Sequence, residues 1–279
     1  ACAARRDSLN VVIDFVDVDS EKWRQYAEKH TGLRRWIYAR EGRKLLDYEK
    51  FAAGKATRSY LVSEAEAKLF RTRLNGESSE VSGLSNGVDA HFFSPDESLS
   101  APYEDGERPI VFTGAMDYAP NVEAVSWFVQ RVMPALTQSE SAYRFYIVGG
   151  NPTPEVSALS KHTGVVVTGR VDDVRPYLRF AKAAVAPMQI ARGIQNKVLE
   201  SMAMSTPIVL SPEALEGIGA HHGEHVLAAK DSNECVLHLR NLSEGGHPEM
   251  GARARRFVLD NFDWSARMSP LVSALTPVP

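Results

Sequence analysis

The chain has 279 residues, 44 % apolar and 24 % charged, with a net charge of −3, so it builds a core and excludes long disorder. The near-neutral balance excludes a whole-chain basic field for duplex nucleic acid. Two cysteines (Cys2 and Cys235) exclude a disulfide framework and a four-cysteine zinc site; no apolar run spans a bilayer and the first residues lack a secretory core.

Val11-Val12-Ile13 with Phe15 and Val16 reads as a buried strand ending at Asp17-Val18-Asp19-Ser20. Helical spacing follows from about Glu21, with Trp23, Tyr26 and Ala27 on one face, and again from about Leu33 to Ala53. Tyr60-Leu61-Val62 is a short strand, and Ser63 caps the helix carrying Ala65, Leu69 and Phe70. Asn86-Gly87 marks a turn, and the proline- and serine-bearing stretch 93–108 reads as a linker between domains.

The second half is more regular. Strands at Ile110–Phe112, Phe145–Val148, Val165–Val167, Ala183–Ala186 and Pro207–Leu210 alternate with helices at about Val122–Leu136, Pro154–Lys161, Val174–Ala181 and Ile194–Met204. Short apolar strands between amphipathic helices imply a doubly wound parallel-sheet α/β domain over 109–262, with ligand at the carboxyl ends of the strands. Two further helices are expected at about Glu249–Asn261 and Ser265–Ala274.

Chemistry concentrates at the helix of Ala191-Arg192-Gly193-Ile194-Gln195-Asn196-Lys197-Val198-Leu199-Glu200, expected to begin near Gly193. Its first turn exposes main-chain N–H groups that favour an anion, and Gly193 lets a phosphate approach the backbone. Lys197 adds a full positive charge one turn in. Asn196 and Glu200, four apart, share a face on which the carboxylate can accept both hydroxyls of a ribose. The competing reading is a plain amphipathic helix with solvated Lys and Glu. Gly114, Gly149-Gly150, Gly169 and Gly217 follow strands, and such turns line a cleft with backbone donors or simply serve as βα turns. Asn121 reads as the cap of the helix after Gly114, and Asp172 or Asp173 as the cap after Gly169.

Other motifs read blandly. Asp17 and Asp19 fit strand-end acids better than a metal pair, and His221, His222 and His225 fit a solvated loop, so no metal site is expected. From Lys22 to Arg58 the chain is locally basic, with Arg34, Arg35, Arg40, Arg43 and Lys44 around Trp36, Tyr38 and Phe51. Such a helix can lie on an anionic membrane surface or meet an acidic acceptor, but a solvated face paired with Glu41, Asp47 and Glu49 is the favoured reading.

Phe112-Thr113-Gly114-Ala115-Met116-Asp117-Tyr118, Pro120-Asn121-Val122, Ile147-Val148-Gly149, Val167-Thr168-Gly169-Arg170-Val171 and Asn196-Lys197-Val198-Leu199-Glu200-Ser201-Met202-Ala203 occur in order. This set resembles the donor-binding domain of the retaining GT-B glycosyltransferases of family 4. In detail it is similar to sugar transferases associated with exopolysaccharide and exosortase gene systems, as are Asp17–Trp23, Val62–Ala67 and Asn86–Asp89. The resemblance covers nearly the whole chain. It implies a GT-B fold: a partial acceptor-side Rossmann-like domain over 1–92, truncated at its leading strands, and a complete donor domain over 109–262. Residues 263–279 are implied to return to the first domain.

The resemblance also implies roles. Glu200 holds the nucleotide ribose, while Gly193, Ile194 and Gln195 meet the diphosphate. Arg170 and Val171 contact the base, and Gly114 and Ala115 line the phosphate side. Arg192 stands where the family has the first acid of its Glu-x7-Glu motif, and Ala115 and Asn121 stand near its usual cations. A departing diphosphate needs positive charge, so Arg192 and Lys197 are the catalytic candidates. The implied activity is a metal-independent, retaining transfer of the hexosyltransferase type, without a cofactor. It runs from a UDP- or GDP-type sugar to a saccharide or lipid-linked acceptor, at the cytoplasmic face of a membrane with peripheral contact. Two alternatives stay open: a catalytically incomplete nucleotide-sugar-binding fragment, and a GT-B-type nucleotide-sugar epimerase.

Overall fold

A computed structural model describes residues 10–74, 80–189 and 193–275, and the chain divides into two units, Ala1–Asn86 with Arg267–Pro279, and Gly87–Ala266. Among the described residues no helix is long and apolar enough to cross a membrane.

The first unit carries a parallel sheet in the order β1 (Val12–Val16), β2 (Arg58–Leu61), β3 (Glu80–Gly83). Its helices are α1 (Asp19–Lys29), α2 (Gly32–Ala53) and α3 (Glu64–Arg73). Ser63 caps α3, its Oγ accepting the Glu66 N–H at 3.1 Å. The core is small: Val18, Ala53, Leu61, Ala67, Phe70, Leu74 and Val81. Asp17 and Asp19 both accept from the Lys22 ammonium, at 2.8 and 3.0 Å, as acids at a strand end and helix start. Glu49 is buried and accepts the N–H and hydroxyl of Ser20 at 3.0 and 2.5 Å, tying α2 to α1. The last helix, α12 (Trp264–Leu275), has most of its length in this unit, where the Tyr60 hydroxyl donates to the Pro270 carbonyl at 3.1 Å.

The second unit holds six parallel strands: β4 (Arg108–Thr113), β5 (Tyr143–Val148), β6 (Val165–Gly169), β7 (Ala183–Ala186), β8 (Ile208–Leu210) and β9 (Leu227–Ala228). Their order is β6-β5-β4-β7-β8-β9, a doubly wound sheet whose direction of winding switches between β4 and β7. Ile110, Val111, Phe112, Phe145 and Ile147 are fully buried, because crossover helices cover both faces. The helix expected over Val122–Leu136 is two, α4 (Ala119–Arg131) and α5 (Met133–Ser139). Pro134 has no N–H to continue a helix but fits the first turn of a new one. The other crossovers are α6 (Pro154–Ala158), α7 (Arg175–Phe180) and α8 (Asn196–Ala203). Beyond β8 come α9 (Pro212–Leu215), α10 (Ser232–Ser243) and α11 (Met250–Phe262).

The unit boundary falls at Gly87, ahead of the expected linker at 93–108. Val88 and Ala90 are buried in the second core, and Phe93, Leu99 and Tyr103 pack on it. Arg255 fastens this segment, donating to the Phe93 carbonyl at 2.9 Å.

Two glycines fix the carboxyl edge of the sheet. A Cβ on Gly149 would lie 1.7 Å from the Gly114 carbonyl oxygen, and one on Gly114 would lie 2.7 Å from Asn121 Nδ2. The strand ends therefore touch backbone to backbone. Gly149→Ala forces them apart and is expected to cost about 2–3 kcal/mol. A thermal or denaturant melt reads this, and a melt matching wild type contradicts the close approach.

Candidate functional site

The ends of β4, β5 and β6 and the opening turn of α8 surround a cavity of about 590 Å³ at the switch point of the second unit. Gly114, Ala115, Gly149, Arg170 and Val171 line one side, and Ile194, Gln195, Asn196, Lys197 and Glu200 the other. Gly150, Thr113, Val148, Asn151 and Val174 also line it; Thr113 and Val148 stand inside the sequence motifs, which assign them no role of their own. Thr113 and Val148 precede the strand-end glycines, so sheet-edge position was the signal that could have found them.

Helix α8 has two sides. Val198, Leu199, Met202 and Ala203 are fully buried toward the sheet, and Lys197 and Glu200 face the cavity half-buried. The helix starts at Asn196 with Gln195 as its N-cap residue, three residues later than expected. Gly193 precedes it, exposed and at φ +65°, a conformation that favours glycine. Gly193 and Gly217 are not among the lining residues, although a Cβ on Gly217 would come 4.0 Å from Ile194 Cγ1, beside the wall. Arg192 lies outside the described residues.

Lys197 is more than an added charge. Its ammonium donates to Asn121 Oδ1 at 2.9 Å and sits 5.1 Å from the centre of the Phe112 ring. Asn121 Nδ2 donates in turn to the Ala115 carbonyl at 2.9 Å. Asn121 is thus not the helix cap its position suggested. Tyr118 is the N-cap residue of α4, and buried Asn121, inside the helix, links α8 to the loop after β4. Burial lowers the Lys197 ammonium to about 8, with Glu200 opposing the shift, and burial raises the Glu200 carboxyl, with Lys197 opposing it. An incoming polyanion would favour the charged lysine. After β6, Asp173 accepts the Arg175 N–H at 2.9 Å, although Val174 holds the N-cap position of α7.

Other candidates for chemistry recede. Buried Cys235 has its thiol pushed up to about 12. His221, Glu224 and His225 bring ligand atoms within 4.8 Å of one another. However, His225 Nδ1 accepts the His221 N–H at 3.1 Å, which places the proton of the neutral ring on Nε2 and leaves no lone pair there for a metal.

Residues 107–244 match the family model described as glycosyl transferases group 1. An uncharacterized 44.6 kDa protein in the cps region of Klebsiella pneumoniae is 22% identical over 164 residues, covering 55% of this chain. The match spans 42% of that relative, less than half its length. Among solved structures, HepE of Anabaena, crystallised with UDP and glucose, aligns at a TM-score of 0.65 and 13% identity over 96% of this chain and 72% of its own. Sucrose-phosphate synthase from Thermosynechococcus elongatus aligns at 0.63 and 17% identity over 98% and 69%. At these identities the likeness concerns the fold, which is the GT-B type.

The lysine gives the cavity a pH signature. Below about 8 Lys197 is an ammonium; above it, binding an anion must take up a proton. Affinity for pyrophosphate is therefore expected to fall as pH rises past that value, by up to about tenfold per unit. Calorimetry of wild type beside Lys197→Met reads the effect: the variant binds more weakly and loses this step. A step that persists in the variant would assign it to another group.

Proposed function

We propose, for a chain whose residues 107–244 belong to the group 1 glycosyl transferases, that the cavity holds a nucleoside diphosphate sugar of the UDP or GDP type. The sugar then passes, with retention, to a saccharide or lipid-linked acceptor at the cytoplasmic face of a membrane. The observation that carries the reading is the placement of Lys197 and Glu200 on one face of α8, beside its opening turn, in a cavity at the sheet's switch point. Lys197 and the helix N-terminus meet the diphosphate, and Glu200 accepts the ribose hydroxyls. Arg170 and Val171 lie where the base would sit, and Gly114, Ala115 and Gly149 flank the phosphates.

In transfer, the bond from the anomeric carbon to the diphosphate breaks and its electron pair leaves on phosphate oxygen. The acceptor hydroxyl forms the new bond on the same face and gives its proton to the departing phosphate oxygen. Charge grows on the departing diphosphate, and a fixed cation and aligned backbone dipoles stabilise that charge without reorganising. No protein nucleophile and no metal are needed in this scheme. Arg192 is assigned as the second cation on sequence position alone.

A thermal-shift panel of UDP, GDP and their sugars identifies the donor, since a ligand that binds only the native state raises its melting temperature. With the stabilising nucleotide, and at a pH well below 8 where Lys197 keeps its charge, Glu200→Gln is expected to weaken binding by about tenfold while changing pyrophosphate affinity much less. Equal losses for both ligands would remove Glu200 from the ribose. Sugar turnover without acceptor would replace transfer by epimerisation.

A further inference from the structure

Asn121 is the third residue of α4, where asparagine is a weak helix former, and it is 4% exposed. Burial that deep requires both ends of its amide to find partners. Nδ2 donates to the Ala115 carbonyl and Oδ1 accepts from the Lys197 ammonium, each at 2.9 Å. The orientation is forced, because a carbonyl cannot donate and an ammonium cannot accept. Gly114 makes space for the amide, since a Cβ there would come within 2.7 Å of Nδ2.

The two groups that hold the ammonium are neutral: the Asn121 amide and the Phe112 ring, whose centre is 5.1 Å from Nζ. The charged groups around it come from three segments. Glu200 lies one turn along α8, Arg170 follows β6, and Asp117, on the loop after β4, accepts from Asn151 at 3.1 Å. Among the described residues neither carboxylate bonds to Lys197. An amide oxygen gives the ammonium a charge-assisted hydrogen bond and leaves its charge intact. A carboxylate in the same place would cancel that charge and repel an incoming anion.

We propose that Asn121 is a positioning residue of the anion site: its amide ties Lys197 to the loop after β4 and presents the ammonium to a diphosphate without neutralising it. The inference rests on the nucleotide reading and adds to it the residue that sets where the cation stands. Asn121 touches no ligand in this scheme and acts through Lys197. Loss of the amide frees the lysine to swing on its flexible four-carbon stem. It also deprives the charged form of its acceptor in a half-buried place, so the ammonium gives up its proton more readily.

The test is calorimetric titration of pyrophosphate, across a pH series, into the 279-residue chain, Asn121→Leu and Asn121→Asp, with a melting curve for each. Wild type loses affinity past about 8. In Asn121→Leu the charged lysine has no acceptor, so affinity is expected about tenfold lower at neutral pH and its fall begins at lower pH. In Asn121→Asp the new carboxylate stabilises the ammonium, so the fall moves to higher pH while affinity again drops about tenfold. A loosened loop alone cannot produce opposite shifts. In a Lys197→Met background Asn121→Leu is expected to lower affinity by less than about twofold, since the group it acts through is gone. Asn121→Asp matches the native side chain in size and answers the question if Asn121→Leu does not fold. A fall that stays at the wild-type pH in a folded variant, or an equal loss with and without Lys197, overturns the inference and leaves the nucleotide reading standing. Wild type that takes up no pyrophosphate removes both.

Discussion

The backbone of Gly149 passes so close to the Gly114 carbonyl that a side chain there would overlap it. This contact holds the ends of β4 and β5 together, and the rest of the site is arranged on it. The loop after β4 must turn beneath Asn121, whose amide grips the Ala115 carbonyl. The other end of that amide receives Lys197 from α8. Three elements far apart in sequence thus meet at one sheet edge, and the winding order leaves a crevice between them.

That geometry sets the electrostatics. Lys197 and Glu200 lie one turn apart, and partial burial pulls each toward its neutral form while their mutual attraction resists. Such a pair is poised rather than saturated. Under the proposed reading, a diphosphate arriving at the lysine would hold it as the ammonium, and the carboxylate beyond it would accept the ribose hydroxyls. Phe112 beneath the ammonium is part of the buried core, so the charge is held in place by packing rather than by a flexible surface arm.

The alternation of short apolar strands and helices made the doubly wound sheet legible from Ile110 onward, because parallel strands buried on both faces need continuous apolar runs. Ser63 was legible as a cap because its hydroxyl acts locally. Asn121 was not, because its partners Ala115 and Lys197 are set by tertiary contact, and a capping residue type near a helix start looks the same either way. Strand β3 escaped notice since Val81 is its one buried residue, too short a signal for a period of two. The break between α4 and α5 was written in Pro134, yet apolar spacing continues across it. The cavity residues on α8 followed from helical periodicity, whereas Gly193 and Gly217 marked turns beside the cavity rather than its lining. The Asp17, Asp19 and Lys22 group shows how acids after a strand serve local ion pairing.

The second unit thus takes one wall of its cavity from the carboxyl edge of the sheet and the charged wall from the first turns of α8. Diffraction from crystals of this chain grown with saturating UDP or GDP tests the site most directly. The expected result is a diphosphate within hydrogen-bonding distance of Lys197 Nζ and the main chain before Asn196, with the ribose hydroxyls on Glu200. A nucleotide bound elsewhere, or a cavity left empty at saturation, would contradict it.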